Sequence, residues 1–197
     1  MVLDKGLSLT ETQNWLEVAA PYVDVVKLGW GTSGLFPLQT LREKIAMLRA
    51  ARIGVTPGGT LTELYLLQNR IPELIRDYTD CGFDVVEVSD GTVPMHPRLR
   101  SRVIGMLLAE GFRVVTEIGS KEPARDRRMT PHQRADLVAA DLEAGATHVI
   151  IEARETGTLG FFAESRELLE QPFNEFLQLV DSRRIVFEAP MKNQQVE

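Results

Sequence analysis

The chain has 197 residues, 44% hydrophobic and 25% charged, the make-up of an ordinary folded globular protein. Its 22 lysines and arginines against 28 aspartates and glutamates leave a net charge of −6, which argues against a nucleic-acid coat or an anionic-membrane binder. A lone cysteine, Cys81, excludes an intrachain disulfide framework and a cysteine-cluster metal site, and no apolar run approaches the roughly 18 residues of a bilayer span.

In chain order, Met1-Val2-Leu3-Asp4-Lys5 meets charge too early for a secretory signal, so a reducing, cytoplasmic setting is expected. The same stretch reads as a first strand over residues 2–5. Further β-branched runs predict strands at 23–29, 54–58, 84–89, 113–119, 148–154 and 184–189, spaced like βα units. Helix signals lie between them. Ser8 with Glu11, and Thr60 with Glu63, fit capping boxes, and Thr130-Pro131-His132-Gln133 adds proline at the first helical position. Leu41, Ile45 and Leu48, and later Leu137, Ala140, Leu142 and Ala144, supply apolar faces near the helical period. Gly111 and Gly145 are placed to end helices before the next strand. No low-complexity stretch or linker interrupts the pattern, so one domain over residues 1–197 is expected.

Strand–helix alternation suits an open doubly wound sheet or a (β/α)8 barrel. Central strands of the open sheet, covered on both faces, should be apolar on both. Here charge recurs on one parity near the C-terminal ends: Lys27, Glu87, Glu117, Glu152 with Arg154, and Glu188. A barrel turns one parity into its lumen and opens its top layer on the functional face, so the barrel is favoured. It would bring Asp4, Lys27, Glu87, Glu117, Glu152 and Glu188 to one cavity, with Lys121 and Arg154 just above. So many carboxylates require compensating cations, and a hard divalent ion such as Mg²⁺ suits carboxylate oxygens. The glycine-rich turns Gly29-Trp30-Gly31-Thr32-Ser33-Gly34 and Pro57-Gly58-Gly59-Thr60 offer backbone amides to a phosphate, but neither matches a nucleotide-binding fingerprint. His96, His132 and His148 lack metal-ligand spacing, and Cys81 reads as a packed thiol.

Seven motifs, one per strand, resemble the phosphosulfolactate synthase family. They are Val2-Leu3-Asp4-Lys5-Gly6, Val26-Lys27-Leu28-Gly29-Trp30-Gly31-Thr32-Ser33, Pro57-Gly58-Gly59-Thr60-Leu61 and Glu87-Val88-Ser89-Asp90-Gly91. Thr116-Glu117-Ile118-Gly119-Ser120-Lys121, Val149-Ile150-Ile151-Glu152-Ala153-Arg154-Glu155 and Phe187-Glu188-Ala189-Pro190-Met191-Lys192 complete the set. The resemblance implies a (β/α)8 barrel that adds sulfite to phosphoenolpyruvate with Mg²⁺, on a route to coenzyme M; plant heat-stress and bacterial spore-associated relatives share the family. It implies a metal held by Glu87, Glu117 and Glu152, an enediolate-like intermediate, and Lys121 as general acid with Lys27 as a second catalytic cation. Asp4, Lys5, Gly58, Gly59, Ser89, Asp90, Arg154 and Glu188 would then line the substrate. The implied partners are small molecules, with self-association compatible.

Two departures stand out. The loop Thr156-Gly157-Thr158-Leu159-Gly160-Phe161-Phe162 has no lysine where many members carry lysine and glycine. The chain also ends shortly after the seventh strand, so a barrel truncated there, lacking the eighth strand and closing helix, is expected. The competing expectation is a non-catalytic or fragmentary member acting in stress or interaction.

Overall fold

All seven expected strands form, in the expected order, within residues 1–196, which the computed structural model describes. The chain divides into two compact units, Met1–Val88 with Leu107–Arg113, and Ser89–Met106 with Val114–Glu197. No helix among the described residues is long and apolar enough to cross a membrane.

In the first unit Val2–Leu3 (β1), Val25–Lys27 (β2) and Gly54–Thr56 (β3) form a parallel sheet in that order, with Val26 opposite both Val2 and Val55. Strand β1 is shorter than its sequence pattern because the Asp4 side chain turns the chain. Its Oδ1 accepts the N–H groups of Gly6 and Leu7 at 2.7 and 2.9 Å. Helix Leu9–Ala19 (α1) begins with the expected capping box: Ser8 Oγ accepts the Glu11 N–H, and Glu11 Oε2 accepts the Ser8 N–H. Helix Leu38–Ala50 (α2) turns Leu41, Ile45 and Leu48 into the core beside β3, as the spacing predicts. That same face also buries Lys44, with no exposed side-chain surface.

Helix Gly59–Leu67 (α3) corrects one expectation. It starts directly after Gly58, without a side-chain cap, so Thr60 and Glu63 lie inside the helix rather than across its cap. The backbone decides this. Gly58 takes φ +78, and a Cβ there would stand 3.3 Å from the Gly29 Cα, so only glycine fits the entry. Helix Ile71–Cys81 (α4) ends at Gly82, and Val85–Ser89 (β4) follows, buried throughout. Burial pushes the half-buried Cys81 thiol up, as a packed thiol should behave.

Pro97–Ala109 (α5) leads to Arg113–Ile118 (β5), and Gly111 closes the helix with φ +86. In the second unit Pro123–Asp126 (α6) and Pro131–Glu143 (α7) precede His148–Ile151 (β6). Glu170–Leu179 (α8) and Ile185–Phe187 (β7) follow. Strands β5, β6 and β7 are parallel neighbours, with Ile118 opposite Ile151 and Ile151 opposite Phe187. Ile118, Val138, Val149, Ile151, Phe161, Phe176 and Ile185 form the core beneath them. Thr130 and Gln133 make the expected capping box on α7.

The inward face of α7 differs from the expected one. Leu137 is exposed, whereas Arg134, Val138 and Asp141 are buried at i, i+4 and i+7. Charged side chains occupy both ends of that stripe because each meets a buried partner. Arg134 pairs with Asp126 at 2.8 Å, and Asp141 pairs with Arg100 at 2.7 Å.

Candidate functional site

In the first unit the expected residues split into two ion pairs and an aromatic contact. Asp4 pairs with Lys44, which also donates to the Leu7 carbonyl, so both Asp4 oxygens serve the turn after β1. In this structure the Asp4 carboxylate, expected on the substrate, is engaged within the chain by Lys44 and by the Gly6 and Leu7 amides. The Lys5 ammonium sits 4.5 Å from the centre of the Trp30 ring, a cation–π contact. Lys27, at the end of β2, lies 3.0 Å from Glu87 Oε1. The same oxygen accepts the Gly59 N–H at 2.8 Å. The amide at the start of α3, expected to meet phosphate, is therefore already turned toward a carboxylate of the chain.

In the second unit the strand ends bring three carboxylates together. Glu117 lies in β5, Glu152 directly follows β6, and Glu188 directly follows β7. Parallel register sets their levels: Glu117 faces Ile150, so Glu152 stands two residues beyond it on the same parity, and Ile150 faces Val186, so Glu188 comes level with Glu152. One oxygen of each lies within 4.8 Å of the other two. Glu117 and Glu152 are buried, and Glu188 is half-buried. Gly119 makes the approach feasible, because a Cβ there would fall 2.6 Å from the Glu152 Cβ. Burial, reinforced by the charges of Glu117 and Glu188, pushes the Glu152 carboxyl up to about 10. The crowding of the three carboxylates thus favours the protonated form at Glu152. Glu188, expected on the substrate, is thus the third member with Glu117 and Glu152, whereas Glu87 is engaged with Lys27 in the first unit.

Lys121 and Arg154 stand on the two loops that leave this strand edge. The Lys121 N–H donates to the Gly91 carbonyl at 3.0 Å, and its side-chain stem runs past Gly91. Arg154 adopts φ +57, a left-handed conformation rare for a side chain of its size. Its N–H donates to Glu152 Oε1 at 2.7 Å, and its Nη1 donates to the Lys121 carbonyl at 3.1 Å. Ser89 is buried at the end of β4, and Asp90 pairs with Arg100 at 3.1 Å. Burial raises the Asp90 carboxyl against the opposing pull of Arg100.

Arg100 itself escaped the sequence reading. Buried in α5, it grips Asp141 with two 2.7 Å bonds and donates to the Glu117 carbonyl at 3.0 Å. Its signal would have been an arginine at helical spacing among apolar residues. A pocket of about 130 Å³ in this unit is lined by Ile151, Glu152, Phe161, Phe173, Phe187 and Gln194 among others.

The chain is thus a parallel α/β protein with a carboxylate trio at the C-terminal ends of neighbouring strands, flanked by a lysine and an arginine, the strand ends where barrel enzymes of this class carry their sites. The fold accords with solved structures. Residues spanning 99% of this chain superpose on 76% of a phosphonopyruvate hydrolase complexed with oxalate and Mg²⁺, with a TM-score of 0.52 and 12% identity. The whole chain superposes on 79% of the citrate synthase SbnG, with a TM-score of 0.55 and 13% identity. The chain belongs to the (2R)-phospho-3-sulfolactate synthase (ComA) family, whose sequence profile matches residues 1–197. It is 41% identical over 197 residues to a phosphosulfolactate synthase of Methanothermobacter thermautotrophicus, covering all of this chain and 76% of that relative. A phosphosulfolactate synthase of Bacillus subtilis is 36% identical over 196 residues, 99% of this chain and 77% of its own.

Proposed function

We propose that the protein adds sulfite to phosphoenolpyruvate in an Mg²⁺-dependent reaction that yields phosphosulfolactate. The observation that carries this reading is the trio Glu117, Glu152 and Glu188 beside Lys121 and Arg154 in a member of this family. The trio fits a hard divalent cation: three carboxylate oxygens converge, and their mutual repulsion, which pushes the Glu152 carboxyl up, is what a positive ion would relieve. Glu117, Glu152 and Glu188 would hold the ion; when bound, it would act as a Lewis acid toward the substrate carboxylate, neutralising charge that develops there.

The chain's own groups do the rest. Sulfite attacks the methylene carbon through sulfur, forming the C–S bond as the C=C pair moves toward the carboxylate. Lys121 then delivers a proton to the carbon that bears the phosphate, completing the addition with no leaving group. The Arg154 fork suits a phosphate or sulfite oxyanion. Thr156 and Thr158, whose hydroxyls lie 2.8 Å apart, give the stretch 156–162 of the loop after β6 polarity but no lysine. That loop is the observation favouring a non-catalytic member. We also read the seven strands, parallel within β1–β3 and within β5–β7, as part of a (β/α)8 barrel, a reading supported by the registers within each sheet.

The deciding experiment follows sulfite-dependent consumption of phosphoenolpyruvate with Mg²⁺ and after chelation. Turnover that requires both sulfite and the ion is expected. A folded protein that binds no Mg²⁺ and consumes no phosphoenolpyruvate would overturn the proposal in favour of the non-catalytic reading.

A further inference from the structure

The loops after β5 and β6 are joined by two rungs. The first is the bond from Arg154 Nη1 to the Lys121 carbonyl. The second runs from the Gly160 N–H to Asp126 Oδ2 at 2.9 Å. Asp126 closes the short helix α6 and is only 1% exposed. Its Oδ1 accepts the N–H of Ser120, the residue before Lys121, at 3.0 Å. Behind it stands Arg134 of α7, 2% exposed, whose Nη2 reaches both Asp126 Oδ2 at 2.8 Å and the Asp126 carbonyl at 3.1 Å. The Arg134 guanidinium lies over the ring of Phe161, the residue after Gly160.

One carboxylate therefore accepts from the loop that carries Lys121, from the loop that carries Arg154, and from a buried cation. Only an ionised carboxylate can receive all three donors, since an amide would turn an N–H₂ toward one of them. Two charges this deep carry a desolvation cost that a well-packed apolar pair would avoid, so their retention asks for a reason beyond stability.

We propose that Asp126 is a positioning residue for the reaction: with Arg134 behind it, it holds the two loops as one piece and so sets where Lys121 and Arg154 stand. The proposal rests on the reading of Lys121 as proton donor. Asp126 touches no reacting atom and acts only through its neighbours' backbone.

Asp126→Asn alone leaves Arg134 buried without its counter-ion, and loss of the fold would be unsurprising. The deciding variant is the double substitution Asp126→Asn/Arg134→Gln, which removes both charges while keeping the shape of residue 126 and a shorter polar side chain at residue 134. It is expected to melt near the parent protein. Its Ser120 and Gly160 amides should exchange with solvent about tenfold faster or more, while strand amides of β5 and β6 stay protected. Its kcat should fall about 10²-fold, the scale of an ångström-level misplacement, with a smaller change in KM for phosphoenolpyruvate.

Unchanged exchange at those two amides would overturn the proposal, as would a kcat that recovers in step with melting temperature. A double variant that fails to fold would mark the pair as purely structural and overturn it too. If the parent protein itself consumes no phosphoenolpyruvate, the proposed function fails, while the exchange measurement still decides whether Asp126 latches the loops.

Discussion

Glu152→Gln isolates the proton that the carboxylate trio retains. The folded protein holds Glu152 protonated up to about pH 10, whereas the unfolded chain releases that proton near the ordinary value of 4.5. Between those limits the folded state binds one proton more than the unfolded state. Stability from this group is therefore fullest below the ordinary value and is lost as pH rises toward the folded value. One proton corresponds to about 1.4 kcal/mol per pH unit, so going from pH 6 to pH 8 costs about 3 kcal/mol. For a chain of this size that is a fall of roughly 5 to 11 °C in melting temperature. Glutamine keeps the oxygen that accepts the Arg154 N–H and can donate to a neighbouring carboxylate, as the protonated acid does, but it does not titrate. In thermal melts across that range, in metal-free buffer, the parent's melting temperature should fall with rising pH and the variant's should fall less. Parallel curves would refute the reasoning, because they would show that no proton is held by Glu152 over that interval.

Two further outcomes are expected. Lys121→Ala should lower turnover by about 10²- to 10⁴-fold, the range for a lost general acid, while equilibrium titration shows phosphoenolpyruvate still bound; lost affinity with normal turnover would make Lys121 an anion clamp instead. Lys44→Met should destabilise the protein by about 3 to 5 kcal/mol in denaturant melts, because it strands the buried Asp4 carboxylate without its cation, whereas a change below about 1 kcal/mol would show that Asp4 finds other solvation.

What the sequence disclosed and what it hid divide along the range of the interaction. The capping boxes at Ser8 and Thr130 are complete within four residues, so a local reading finds them. Strand parity is equally local, and it put Lys27, Glu87, Glu117, Glu152 and Glu188 on one face. Parity does not say which strands are neighbours or how their ends are staggered. The metal was therefore expected on Glu87 with Glu117 and Glu152, and Glu188 on the substrate, whereas the register sets Glu188 beside Glu152. The expected box at Thr60 and Glu63 failed because Gly58 shifts the start of α3 by its backbone alone. Buried charges were the least legible. Lys44 meets Asp4 from 40 positions away in sequence, and Arg100 meets Asp141 from 41, so each polar residue read alone resembles a solvated one.

The contact between Glu87 and the start of α3 has a consequence for how the first unit meets anions. Helix amides that face solvent invite phosphate, but here the chain carries its own anion to that position on a strand, where it also balances Lys27. The unit is in effect permanently liganded by itself. Such an internal ligand is present at the same concentration in every molecule and cannot be diluted, so α3 is anchored whether or not substrate is abundant. Phosphate, sulfate or sulfite from solution would have to displace a tethered carboxylate to occupy the Gly59 amide, and tethering gives that carboxylate the advantage.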